Sequence, residues 1–251
     1  NDEVLQLVGV KQPIEVIGYP VREVQPTDLS ERIRLEDDFN FLSITQLAPR
    51  KNIESMIRWF VEEFREDEIG LVLKAHGNNN STPDRFFSEK MMRQFIATLG
   101  EKKCKIYHIH GSMTDEELHG LYLHPQIRAY TTTTHGEGIE TETKAGRKKR
   151  QTYYEKVPVD IATVNANALM EGIITPEMKW GYPQEAKFKR AMRSVYENIS
   201  TKEKTAAILK KYLRETFTEE IQNAKVCESV WEAANNEKTE WAEKVDEVQV
   251  L

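Results

Sequence analysis

From residue 39 onward, apolar residues recur at two alternating spacings. Residues 39–45 form a short apolar run of strand length. Across 52–64, Ile53, Met56, Ile57, Phe60, Val61 and Phe64 fall at three- and four-residue steps, which predicts an amphipathic helix. A second buried strand is predicted over 70–75, and a helix over 84–99 with Phe87, Met91, Phe95 and Leu99 on one stripe. Residues 104–109 read as a third strand. Thr114-Asp115-Glu116-Glu117 is a capping box that opens a short helix to Tyr122, and 127–132 read as a fourth strand. Strands alternating with helices predict an α/β domain, a parallel sheet with helices on both faces. Ligands of such sheets lie beyond the carboxyl ends of the strands. The loops 46–51, 76–82, 111–113 and 133–138 therefore carry any site.

Either side of this core the pattern changes. Residues 1–38 hold Pro13, Pro20 and Pro26 around a brief apolar stretch at 14–19 and read as an interdomain linker or the remnant of a preceding domain. The charged run 30–38 is expected to be exposed. The Rossmann-like unit is bounded at 39–234, with 139–152 expected as a flexible loop carrying Lys144, Arg147, Lys148, Lys149 and Arg150. That cluster could also be a nuclear signal or a phosphate patch. Residues 153–164 could be extended. The stretches 184–198, 201–215 and 218–234 predict three C-terminal amphipathic helices, followed by an acidic tail at 235–251.

Charge narrows the partners. With 41 acidic and 35 basic side chains the net charge is −6, which argues against nucleic acid as a general partner. Cys104 and Cys227 stand far apart without CxxC spacing, so neither a disulfide framework nor a zinc site is expected. No apolar run approaches the ~20 residues of a membrane span. The first ten residues lack a basic, apolar leader. The expectation is a soluble, cytoplasmic protein.

Two groups of residues could carry chemistry. Pro49-Arg50-Lys51-Asn52 sits between the first strand and its helix. Two cations beside a helix N-terminus suit a diphosphate, because free backbone N–H groups add to the side-chain charge. The same residues fit a solvated loop with Asn52 as N-cap. The second group, His135-Gly136-Glu137-Gly138, flanks a carboxylate with glycines, so that backbone can approach a ligand while Glu137 binds hydroxyls. A flexible turn with a solvated Glu is the plainer reading. His108 and His110 share a strand face without further metal ligands at suitable spacing, so packed or hydrogen-bonded histidines are expected. Trp59, Trp180 and Trp231 are expected in the core or an interface, with Trp180, in a loop beside Gly181-Tyr182-Pro183, left open as a sugar platform. No GxSxG, P-loop or HExxH motif occurs.

Taken in order, these segments resemble a known family. Phe41-Leu42-Ser43-Ile44-Thr45-Gln46-Leu47-Ala48-Pro49-Arg50-Lys51-Asn52 is similar to the GRLxPxKN segment of group 1 (family 4-like) retaining glycosyltransferases. Leu71-Val72-Leu73-Lys74, Ile109-His110-Gly111-Ser112-Met113-Thr114-Asp115-Glu116-Glu117-Leu118 and Leu121-Tyr122 resemble its LVLKG, FHGxLSDEEL and LY segments. His135-Gly136-Glu137-Gly138 resembles the start of its EGFGLPxxEA motif, and Phe217-Thr218-Glu219-Glu220 the stretch before its last helix. The resemblance implies the Rossmann-like C-terminal domain of a GT-B enzyme. It implies transfer, with retention, of a sugar from a nucleoside-diphosphate sugar to a glycan, lipid or protein acceptor, without a metal or other cofactor. In that reading Lys51 clamps the diphosphate with Arg50 and Gln46 beside it. Glu137 is the catalytic carboxylate holding donor hydroxyls, and His135, Gly136 and Gly138 complete the donor site. Two departures stand out. Gln46 replaces a second diphosphate-binding Arg, and the FGLPxxEA continuation after Gly138, with its ribose-binding carboxylate, has no counterpart. A non-catalytic binding or scaffold module with a degenerate donor domain is the alternative, and a different doubly wound nucleotide-binding protein such as an epimerase a third.

Overall fold

Near-continuous apolar strands are stable only between two covered faces, and β1 (Asn40–Gln46) and β2 (Gly70–His76) are buried along almost their whole length. The computed structural model describes residues 17–131, 139–142, 148–151 and 153–245, with the backbone alone at 139–142, 148–151, 233 and 236–245. Clustering of contacts divides the chain into two compact units, Val24–Ala206 and a second made of Asn1–Glu23 with Ala207–Leu251.

In the larger unit β1 pairs in parallel with β2, which pairs with β3 (Lys105–Ile109), while β4 (Ile127–Tyr130) lies on the other side of β1. The sheet order is β3-β2-β1-β4. Helices α1 (Ile53–Phe64), α2 (Thr82–Ala97) and α3 (Asp115–Tyr122) make the crossovers. Successive strand residues face opposite ways. Phe41, Leu71 and Leu73 thus join Ile57, Phe60, Phe64 and Met92 in one core, while Leu42 and Val72 join Leu121 and Ile127 in another. The expected α/β architecture, a parallel sheet with helices on both faces followed in sequence by C-terminal helices, is present.

Each end of α1 and α3 reflects local chemistry. Thr114 accepts from Glu117 N at 3.2 Å, and Glu117 Oε2 accepts from Thr114 N at 3.1 Å, completing the capping box. At the start of α1, Asn52 adopts φ 51°, a left-handed conformation that Asn tolerates, and its side chain makes no capping bond.

The segment ahead of the sheet differs from the expected exposed linker. Leu29 and Leu35 are buried in the second core, and Asp37 is only 5% exposed. Asp37 can be buried because Lys105 Nζ and Tyr107 Oη both donate to its carboxylate, at 3.2 and 3.1 Å. Leu35 inside the charged run and Leu29 just before it pack with Leu42 and Val72 on one face of the sheet.

After β4 the backbone forms two antiparallel hairpins, β5 (Ile139–Glu142) with β6 (Lys148–Gln151) and β7 (Val159–Thr163) with β8 (Lys179–Pro183). The flexible loop expected over 139–152 is thus a strand pair within its described part. Its register sets Glu140 opposite Arg150 and Glu142 opposite Lys148. Three helices follow, α4 (Glu185–Glu197), α5 (Ile199–Thr216) and α6 (Glu219–Val245). Helix α6 continues through the first half of the expected tail. Trp59 is a core residue packed on Phe188 at 5.5 Å, whereas Trp231 on α6 is 68% exposed.

In the smaller unit, Val21 N donates to the carbonyl of Phe217 at 2.6 Å, and Tyr212 meets Phe217 edge to face. Gln222 is buried there, its amide donating to the Thr216 carbonyl at 3.0 Å.

Candidate functional site

Strand order places the site. The chain runs outward from β1 through β2 to β3 and then returns past β1 to β4, so the loops after β1 and β2 lie side by side at the carboxyl ends of their strands, where ligands of parallel sheets lie. Gln46 is the last residue of β1. Pro49–Lys51 form a single 3-10 turn, after which Asn52 leads into α1. The Asn52 side chain makes no capping bond to α1.

A cleft of about 970 Å³ lies over this turn. Gln46, Pro49, Arg50 and Asn52 form one side, and Asn78, from the loop after β2, continues it. The turn at 166–168 and strand β8, with Lys179 and Trp180, form the other. Trp180, expected in a loop, is a strand residue in register with Ala162. No carboxylate lines the cleft among the described residues, although the protein as a whole is acidic. Among the described residues neither Arg50 nor Lys179 meets an acidic partner.

The structure brings Gln46 and Arg50 together here but leaves the half-buried Lys51 out of the lining. The Gln46 amide donates to the Gly77 carbonyl at 3.0 Å, joining the loops after β1 and β2. His135, Gly136, Glu137 and Gly138 lie outside the described residues. The last residue before them, Thr131, donates its N–H to the Leu42 carbonyl at 2.8 Å and so extends β4 alongside β1.

Beside the cleft, a polar cluster escaped the reading of the sequence. Asp84 accepts from the N–H groups of Gly77 and Asn78 at 3.0 and 2.8 Å, and pairs with His110 Nε2 at 2.8 Å. The His110 bond, assisted by these amides, holds the Asp84 carboxyl down to about 2. A signal was available: Ser81-Thr82-Pro83-Asp84 has capping-box spacing, and Ser81 does cap α2 by accepting from Asp84 N. His110, which the sequence left without a partner, therefore has one. His108 Nε2 bonds the Ala75 carbonyl at 3.0 Å, and burial pushes its imidazole toward the neutral form. No group of residues among those described could hold a metal ion. Lys74, 8% exposed, donates to the carbonyl of Gly111 at 2.6 Å and so ties β2 to the turn after β3. Gly111 has φ 106°, a conformation open to glycine. Burial lowers the Lys74 ammonium below its usual range.

No family model, curated protein or solved structure matches the chain.

Proposed function

We propose that this chain is the nucleotide-sugar-binding part of a retaining glycosyltransferase. The observation that carries this reading is the cation-lined, carboxylate-free cleft at the carboxyl end of β1, beside the uncapped N-terminus of α1. A diphosphate needs positive charge, which Arg50 and Lys179 supply at the cleft wall. In the transfer step, charge accumulates on the departing diphosphate, and preorganised donors stabilise it without reorganising. The sequence segments resembling the glycosyltransferase family support the assignment because they fall at strand ends, after β1, within β2 and between β3 and α3. The carboxylate proposed to hold the donor sugar is Glu137, with His135, Gly136 and Gly138 around it.

A second reading, a binding module without catalysis, is favoured by Gln46. The residue in the place of the family's second arginine is uncharged, and its amide is tied to the Gly77 carbonyl.

Thermal unfolding with UDP, GDP, ADP and their sugars tests the first reading. At 100 times its dissociation constant a ligand adds ~2.7 kcal/mol of stability. The expected result is a shift with one nucleoside diphosphate, lost in Arg50→Ala and weakened in Lys51→Ala. No shift with any of them, or a shift that both substitutions leave intact, overturns it. Sugar transfer by this chain that disappears in Glu137→Gln removes the second reading.

A further inference from the structure

The wall of the cleft opposite Arg50 has a different chemistry. Trp180 is half-buried at the surface of β8, and the carboxamides of Asn78, Asn165 and Asn167 line the same space. None of these three amide side chains bonds another described residue. The turn that carries two of them is held against β8. The Tyr182 hydroxyl accepts from Asn165 N at 3.2 Å and donates to the Thr163 carbonyl at 3.1 Å. Behind it, the Gln184 amide donates to Asp160 at 2.7 Å. The aromatic ring and two of the amides are therefore placed by one braced hairpin, and the third by the loop that Asp84 fastens through Gly77 and Asn78.

We propose that this wall is a pyranose-binding subsite. The indole of Trp180 supplies a flat apolar platform for the C–H face of a sugar ring. Asn78, Asn165 and Asn167 hydrogen-bond its hydroxyls. A carboxamide offers donors and an acceptor in one plane, and a hydroxyl likewise donates and accepts, so three exposed amides that share a cleft with an aromatic ring match a polyhydroxylated ligand. The cleft reaches from the end of β1 toward the loop after β2, away from β4. Arg50 and Lys179 line the same cleft and supply positive charge for a phosphate on the same sugar. The proposal deepens the reading of this cleft as a ligand site, but it does not require the nucleotide.

The test uses the full chain and no nucleotide. Saturation-transfer NMR with the methyl β-pyranosides of glucose, galactose and N-acetylglucosamine reads contact with each ring proton. The expected result is transfer to the protons of one ring face for at least one glycoside. It should be lost in Trp180→Ala, largely kept in Trp180→Phe, and cut at least threefold in an Asn165→Ala, Asn167→Ala double variant. Thermal unfolding of each variant identifies any that has lost the fold, and Trp180→Phe keeps an aromatic ring in the strand. Absence of transfer for all three glycosides in the folded wild-type chain overturns the proposal, as does transfer that Trp180→Ala leaves unchanged. Transfer to uridine, guanosine or adenosine that depends on Trp180, with none to the glycosides, also overturns it and makes the ring a base platform. Glycoside binding without any nucleoside-diphosphate binding supports the subsite and sinks the nucleotide reading. The reverse pattern sinks the subsite alone.

Discussion

Replacing Phe64 with Leu removes a ring and little else. Phe64 is fully buried at the end of α1, with ring centroids 5.8 Å from Phe41, 5.2 Å from Phe60 and 5.7 Å from Tyr196. The Arg193 guanidinium lies 4.3 Å above its centroid and is held there by Glu63 Oε1 at 2.7 Å and Asp67 Oδ2 at 2.9 Å. An aromatic pair is worth ~0.5–1.5 kcal/mol beyond area, and three around one ring are worth roughly 2 kcal/mol once shared neighbours are allowed for. A cation over the face adds ~0.5–1 kcal/mol, and a near-isosteric apolar swap costs about 1 kcal/mol. Phe64→Leu should therefore lose roughly 3.5–4 kcal/mol, read by urea denaturation followed by tryptophan fluorescence. A double-mutant cycle with Arg193→Met isolates the cation–ring coupling, because the ion pairs cancel, and should return about 0.5–1 kcal/mol. A loss below ~1 kcal/mol, or a coupling of zero, would refute the reasoning. The outcome matters for the site, since β8 passes through Gln184 directly into α4, and α4 is docked on α1 by these contacts together with Trp59 and Phe188.

Two further substitutions probe the frame of the cleft. Asp84 has a depressed carboxyl pKa, so its contribution to stability is present above its ordinary 3.8 and is lost as pH falls toward about 2. Asp84→Asn should flatten the acid limb of stability between those values, and an unchanged limb would show that the His110 pairing carries no linkage. Gly120 in α3 faces the backbone of Thr27, whose carbonyl oxygen would lie 1.9 Å from an added Cβ. Gly120→Ala gains ~1 kcal/mol of helix propensity but forces the backbone apart at a cost of ~1–3 kcal/mol. Net destabilisation in chemical denaturation is therefore expected, and a net gain would mean that the 24–38 segment is not seated on α3.

Periodicity alone placed β1 to β4 and α1 to α3 within a few residues of where they fold. The capping box at Thr114 and the break ahead of α1 are properties of neighbours in sequence, so they too were legible. Arg50 and Gln46 could be chosen as candidates because a turn between strand and helix is a local event. Lys51 could not be separated from Arg50 in the same way, since which of two adjacent side chains faces a cleft depends on what builds its far wall.

That far wall comes from β8, whose Trp180 follows Gln46 by most of the domain, and no spacing rule joins them. The same holds for His110 with Asp84 and for Arg193 with Glu63, pairs separated by 26 and 130 residues. The sequence by itself determined the elements and their alternation, because hydrogen bonding and burial within an element repeat at fixed periods of two and 3.6 residues. The tertiary structure decided the order β3-β2-β1-β4, the burial of Asp37 inside a charged run and the placing of Arg50 and Trp180 on one cleft. These depend on which distant surfaces cover one another once the strands have paired, and that choice is made by the summed packing of the whole core rather than by any one segment.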